Sequence, residues 1–100
     1  MSAVDAVEPV RTAQAGTVES MDCLVTITGS ASGRVIEITG SSASRFKGAM
    51  EAKVNAVLDE LEASASPAVK VSVQDNGALD VVLGARVEAA YRRFTGGASK

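Results

Sequence analysis

The chain has 100 residues, of which 46% are hydrophobic, and this length allows one domain with a modest core. Its formal net charge is −2 and it has three aromatic residues, so it lacks the basic surface and the stacking side chains of a nucleic-acid-binding protein. No apolar run reaches the roughly 20 residues that span a membrane, and the first residues lack the pattern of a signal peptide. We therefore expect a cytoplasmic chain with no nucleic-acid or membrane partner.

Two features of the composition narrow the chemistry further. The sequence has no histidine, which removes the usual general base and the commonest metal ligand. Its one cysteine, Cys23, has no imidazole to activate it and falls on the inward phase of a predicted strand, so we interpret it as structural. We expect no catalytic residue and no metal site, and we expect another chain or a cofactor to complete any chemistry.

The first predicted strand contains the residue on which the functional prediction depends. Residues 1–14 show no sustained period and are predicted to be a flexible lead-in. Residues 17–28 alternate between apolar and polar side chains, but the apolar phase slips by one residue between Val18 and Met21. Such a slip predicts a bulge, which re-aims one side chain. Ser20 lies at the slip, so we expect its hydroxyl to project from a kinked edge within reach of another protein.

The next segment predicts a second strand and a helix. Residues 29–33 (GSASG) have turn chemistry and are predicted to close a hairpin with a strand at 34–39. Residues 40–42 (GSS) break that strand and supply serine caps for a helix that runs to about residue 63. The apolar residues of this helix follow steps of three and four and form one stripe. The stripe consists of Phe46, Met50, Val54, Val57, Leu58 and Leu61.

The last third of the chain predicts a strand and a second helix. Residues 64–67 (SASP) end the first helix, because the residue before a proline is disfavoured in the helical conformation. Residues 69–74 alternate strictly and predict a strand, and residues 75–77 (DNG) follow it as a turn. Residues 78–94 fit a helix by composition and spacing, with a short strand at 79–83 as the alternative.

These elements predict a small single-domain α+β sandwich in the order strand, strand, helix, strand, helix. We expect both helices to pack on one face of a mostly antiparallel sheet. The folded domain is predicted to span residues 15–96, followed by a flexible tail at 97–100.

Two stretches of the sequence carry a family resemblance. Residues 15–22 (AGTVESMD) resemble the N-terminal signature of the citrate lyase acyl carrier proteins, the gamma subunits of that enzyme. Residues 75–80 (DNGALD), continued by 85–90 (ARVEAA), are similar to the C-terminal signature of the same family. The spacing between the two stretches also agrees, and the resemblance covers about residues 14–94.

The resemblance implies a non-catalytic carrier with a covalent arm on Ser20. The implied arm derives from 2'-(5''-triphosphoribosyl)-3'-dephospho-coenzyme A and is joined to the serine through a phosphodiester. It would carry acetyl and citryl thioesters while citrate is cleaved to acetate and oxaloacetate. The implied partners are the alpha and beta subunits of citrate lyase, which perform the chemistry, and the transferase that attaches the arm. Met21 stands where the family pattern leads us to expect a small or polar residue, so the exact shape of the turn is open.

Several alternatives remain at this point. The chain could be the carrier of a citramalate lyase or of a malonate decarboxylase, or a small scaffold or regulatory domain in which Ser20 is never modified. The DSL motif of fatty-acid carriers does not occur in the sequence. For Arg86, on the flank of the last helix, we predict a structural pairing with Asp80 or Glu88, with a contact to a partner or to the arm's phosphates as the alternative.

Overall fold

The computed structural model describes residues 12–62 and 68–96. Its elements, in chain order, are β1 Thr12–Gly16, β2 Asp22–Gly29, β3 Val35–Gly40, α1 Ala43–Glu62, β4 Val69–Asn76 and α2 Asp80–Phe94. The α+β class and the order of the predicted elements are confirmed, with one further strand at the start. The predicted tail, most of the predicted lead-in and the segment predicted to end the first helix lie outside the described residues.

The four strands form one mixed sheet in the order β1-β2-β4-β3. Strand β2 is antiparallel to both of its neighbours, β1 and β4, whereas β3 runs parallel to β4. The segment from β3 through α1 to β4 is therefore a βαβ unit, because parallel neighbours need a long crossover connection. Two of the three strand pairs are antiparallel, as the sequence predicts.

The predicted hairpin between the first and second predicted strands is wrong, because β4 lies between β2 and β3. Strand β4 pairs along its whole length with β2 and is also paired with all of β3. The strand with the most regular alternation thus takes a central position, where both of its edges are covered. The GSASG segment at 29–33 does reverse the chain, but the strand that follows it, β3, lies on the far side of β4 and not beside β2. The fully or almost fully buried residues of β4 are Val69, Val71 and Val73.

The predicted first strand, residues 17–28, is in fact a turn followed by β2, and a further strand, β1, precedes the turn. Strand β1 ends at Gly16, which pairs with Leu24 of β2, so the phase slip marks a reversal of the chain and not a bulge. The sequence-based prediction also places residues 12–14 in the lead-in, but they belong to β1. The cause is that β1 is an edge strand of small and polar residues whose one buried side chain is Ala15, so it shows no hydrophobic period.

The core lies on one face of the sheet, under the two helices, as predicted. Helix α2 packs against β1 and β2, α1 packs against β3, and the helices contact each other. The other face of the sheet carries half-buried and exposed side chains, most of them polar. The larger core residues outside β4 are Cys23, Val25, Ile27, Ile38, Met50, Val54, Leu58, Leu83, Val87 and Tyr91.

Helix α1 follows its predicted apolar stripe except at its first turn. There Phe46 is 52% exposed, and its φ of −123° and ψ of 17° depart from helical values. Helix α2 is regular from Asp80, so the helical prediction is confirmed and the strand alternative for 79–83 is wrong. Within the described residues, neither helix is both long enough and apolar enough to cross a membrane.

Candidate functional site

Ser20 lies at the tip of the connection between β1 and β2; we call residues 17–22 the Ser20 turn. The backbone N–H of Asp22 donates to the carbonyl oxygen of Glu19 over 3.1 Å and closes a four-residue turn. Ser20 is the second residue of this turn and is exposed. The predicted outward position of Ser20 is confirmed, although a turn and not a bulge presents it.

Met21, the third residue of the turn, has a φ of +68°. A positive φ at this place is typical of a type II turn, which prefers glycine or asparagine there. An ordinary side chain in the left-handed region costs roughly 1–2 kcal/mol, so the turn is strained at Met21. Its backbone N–H donates to the carbonyl oxygen of Asn76 over 2.7 Å, which holds the residue in place. The family resemblance left the shape of the turn open at Met21, and the structure now defines it.

The carboxylate of Asp22 connects the turn to helix α2. Its two oxygens accept from Nε and Nη2 of Arg86, each over 3.0 Å. Thr17 donates its hydroxyl to the same carboxylate over 2.9 Å, and the backbone N–H of Cys23 donates over 2.7 Å. The Asp22 side chain is only 15% exposed. Because a bidentate arginine–carboxylate pair fixes both distance and orientation, α2 holds this end of the turn.

The same pair controls the charge beside Ser20. The Arg86 guanidinium, followed by the N–H of Cys23, lowers the pKa of Asp22 from its ordinary 3.8 to about 2. In return, the Asp22 carboxylate raises the pKa of Arg86. Both groups are therefore ionised at neutral pH, and the negative charge of Asp22 is compensated.

Asn76, at the end of β4, holds the other side of the turn. Its backbone carbonyl accepts from Met21, and its side-chain Nδ2 donates to the carbonyl oxygen of Val18 over 3.0 Å. The entry to the turn depends on Gly16, whose φ is +97°. A Cβ at Gly16 would overlap the carbonyl oxygen of Cys23, so only glycine lets β1 approach β2 this closely.

Asp75, the residue before Asn76, points the opposite way and is 4% exposed. Its carboxylate accepts from the backbone N–H groups of Ser42, Gly77 and Ala78 over 3.0–3.2 Å. Burial alone would raise the pKa of Asp75, but these hydrogen bonds outweigh it and lower the pKa. Asp75 therefore joins the start of α1 to the loop that leads into α2. The DNG motif was predicted as a simple turn, whereas its Asp and Asn hold the site together.

Two further predictions concern side chains near the turn. Cys23 is fully buried, and burial, with the Asp22 and Asp75 carboxylates, raises its pKa to about 11, which fits the predicted structural role.

Arg86 does have a structural contact, but the predicted partners are wrong. Asp80 pairs with Lys53 over 3.3 Å, and Glu88 pairs with Arg92 over 2.8 Å. In the part of the chain that the structure describes, no group of three or more His, Cys, Asp or Glu side chains gathers as a metal site.

Comparisons with known proteins agree with this geometry. A family model described as ACP, malonate decarboxylase delta subunit (MdcD), matches residues 10–94. The citrate lyase acyl carrier protein of Haemophilus ducreyi is 41% identical over 85 residues, which is 85% of each chain. That of Treponema denticola is 39% identical over 83% of this chain and 91% of its own. That of Haemophilus influenzae is 45% identical over 85% of each chain.

A solved structure is similar as well. A chain in the crystal structure of a Pseudomonas malonate decarboxylase hetero-tetramer in complex with malonate matches with a TM-score of 0.59 and 25% identity, covering 83% of this chain and 82% of that one. The family-model match, over residues 10–94, spans the Ser20 turn, the sheet and both helices. The chain therefore belongs to the family of small acyl carrier proteins that includes the citrate lyase carriers and the malonate decarboxylase delta subunit.

Proposed function

We propose that this chain is the acyl carrier subunit of a citrate lyase and that Ser20 is the residue to which its prosthetic group is attached. The observation that carries the proposal is the exposure of Ser20 at the tip of a turn that Asp22 and Asn76 hold in place. A carrier needs a hydroxyl that an attaching enzyme can reach, on an element that does not move with respect to the domain.

The surroundings of Ser20 also fit a phosphodiester. The chain has no histidine, and the sequence neighbours of Ser20 are Glu19 and Met21, so Ser20 lacks the adjacent imidazole or amine that commonly activates a serine as a nucleophile. A separate transferase must supply that activation. Of the two nearby carboxylates, Asp22 is compensated by Arg86, and Glu19 is exposed to solvent. The site therefore places no buried, uncompensated negative charge against the phosphate of an arm.

We infer that the arm derives from 2'-(5''-triphosphoribosyl)-3'-dephospho-coenzyme A, as the family resemblance implies. When bound, the group supplies a thiol that carries an acyl chain as a thioester. The chain itself presents the attachment point, keeps it rigid through the Asp22–Arg86 pair, and leaves catalysis to the alpha and beta subunits. Tethering the thiol raises its concentration at a partner's active site to about the millimolar range.

Mass spectrometry and activity together test the proposal. The chain purified from its native host is expected to exceed its sequence mass by one phosphoribosyl-dephospho-coenzyme A unit. Ser20→Ala should lose that increment and abolish citrate cleavage by the reconstituted complex. Ser32→Ala is a matched control, because Ser32 is an exposed serine in a different loop, and it should keep both properties. An unmodified native chain would contradict the proposal and favour a scaffold domain.

A malonate decarboxylase carrier is the second candidate, since the family model and the similar Pseudomonas structure both bear that name. The two candidates differ in their substrate and not in the fold. Activity with citrate or with malonate, measured after adding the chain to each set of partner subunits, separates them. A cytoplasmic location stays a prediction, and fractionation of the native host tests it.

A further inference from the structure

A groove of about 380 Å³ lies between the N-terminal ends of the two helices. Its walls include Phe46 of α1 and Leu79 just before α2, which are 52% and 58% exposed, and its floor includes the buried Met50 and Leu83. Large apolar side chains that line a concave surface and still meet solvent are typical of a ligand site. The volume is at the lower end of the range for ligand pockets, so it suits one ring system and not a long cofactor.

A cation lies beside the groove. The guanidinium of Arg45 lies 5.4 Å from the centroid of the Phe46 ring, and Arg45 is exposed. The first turn of α1 contains no acidic residue, but the Asp75 carboxylate accepts from the backbone N–H of Ser42 just before it, so the helix N-terminus already has an anionic partner. On the opposite wall, Asp80 is paired with Lys53. An aromatic ring next to a cation favours a ligand that combines a flat ring with phosphates.

The groove is continuous with the Ser20 turn. Gly77 lines the groove, and a Cβ on it would lie 3.9 Å from the Met21 sulfur, one residue from Ser20. Asn76 contacts the Ser20 turn, and Asp75 contacts Ser42 on the groove wall. Residues 75–77 therefore fix the turn and the groove relative to each other. A group attached to Ser20 thus begins next to the groove.

We propose that this groove is a docking site for the adenosine part of the arm on Ser20, an inference that rests on the proposed function. In such an arm the phosphoribosyl group comes first, adenosine next, and the diphosphate and pantetheine last. The adenine ring is therefore the flat, apolar part nearest to the attachment point. Phe46 would offer the adenine ring a stacking surface, and Arg45, beside it, would offer a cation to the diphosphate. Docking shortens the free tether and leaves the thiol end available to the partner subunits.

Weak binding is sufficient for such a dock. A tether of this kind keeps the adenine at an effective concentration in the millimolar range. A free ligand that binds the groove with a dissociation constant of about a millimolar would, when tethered, occupy it for a large part of the time. The site can then release the arm whenever a partner competes for it.

The test is an NMR titration of the full chain, made without the attaching enzymes, with dephospho-coenzyme A. We expect amide shifts that are centred on the groove, at Ala49, Gly77 and Leu79, and that saturate in about the millimolar range. Pantetheine, which lacks the nucleotide, should leave these amides unchanged at the same concentration. Equal shifts with pantetheine, or shifts that avoid the groove, would overturn the proposal.

Two matched substitutions sharpen the titration. Phe46→Ala should weaken the binding of dephospho-coenzyme A by about tenfold, because the stacking surface is lost. Val81→Ala is the control, since Val81 is 70% exposed on α2 but does not line the groove, and it should bind as the wild type does. Both positions are exposed, so neither change removes a core side chain. Unchanged affinity in Phe46→Ala would contradict the proposal.

The modified chain separates this inference from the proposed function. The intact mass of the native chain reports the arm without reference to the groove. If the arm is present and the groove amides have the same shifts in the modified and unmodified chains, docking is wrong and the carrier function stands. If the arm is absent, the carrier function is wrong, and the titration still decides whether the groove binds an adenine nucleotide.

Discussion

In the sheet, apolar side chains such as Val71 are buried in the hydrophobic core, whereas in the Ser20 turn the stabilising contacts are hydrogen bonds and an ion pair. The core excludes water and tolerates little change in volume. The turn is exposed at Ser20 and is held at both ends by polar side chains from distant elements. The comparison shows how a small domain can present one serine hydroxyl at the surface and still keep its position fixed.

The largest expected effect is at Asp75, where the polar contacts of the site reach the core. Asp75→Ala leaves three backbone N–H groups without their acceptor and should lower the free energy of unfolding by about 3 kcal/mol. Urea denaturation measures this. Gln74→Ala, at an exposed position on the other face of β4, is the control and should stay within about 0.5 kcal/mol of the wild type. Similar values for both variants would show that Asp75 does not hold the groove and the turn together.

The next effect should be confined to the turn. Arg86→Met removes the partner of the Asp22 carboxylate but keeps an apolar side chain of similar length. Hydrogen exchange at the Met21 amide should become about tenfold faster, while the Val71 amide in the core exchanges as before. Arg92→Met, which breaks the exposed pair with Glu88, should change neither amide. Faster exchange throughout the sheet would contradict a local role for Arg86.

The pH dependence of stability tests the same pair. Folding lowers the pKa of Asp22 from 3.8 to about 2, so its contribution is fully present above 3.8 and is lost as the pH falls toward 2. The difference in unfolding free energy between the wild type and Asp22→Asn should therefore be largest above about pH 5 and shrink steadily below about pH 4. Denaturation curves at several pH values measure it. A difference that is constant with pH would mean that the charge of Asp22 is unimportant.

The smallest effect should be a gain in stability at Met21. Met21→Gly removes the strain of a side chain at φ +68° and should stabilise the chain by up to about 1 kcal/mol. Met21→Ala keeps a Cβ at the same φ and should give no such gain. Thermal unfolding of both variants measures the difference. If alanine stabilises as much as glycine, the exposed methionine side chain and not the backbone is the source of the strain.

Much of the fold follows from hydrophobic period alone. The alternation in β2 and β4 and the three-and-four spacing in α1 mark the residues that are buried, because burial on one face imposes that period. The period does not specify which strands are neighbours, so it could not reveal that β4 separates β2 from β3. It also fails for β1, whose edge position requires little apolar surface.

The candidate site was less predictable from the sequence than the fold. The motif around Ser20 suggests that residue as the attachment point, which stays a proposal, and it does not reveal the residues that hold the turn. Arg86 and Asn76 contact the turn across 64 and 58 positions of sequence, and such pairs of polar residues leave no local pattern. Each of the two motifs that carry the family resemblance contains an aspartate, Asp22 in the first and Asp75 in the second. These aspartates could have indicated the supports of the turn, because both prove to be hydrogen-bond acceptors that organise the site.

Peptide mapping of the native chain tests the central claim most directly. Trypsin releases residues 12–34, a peptide that contains Ser20 together with the other hydroxyl residues of β1 and β2. Fragmentation of this peptide is predicted to place the whole mass increment of the arm on Ser20. An increment on any other residue, or an unmodified peptide from an active native complex, would contradict the assignment of Ser20 as the carrier residue.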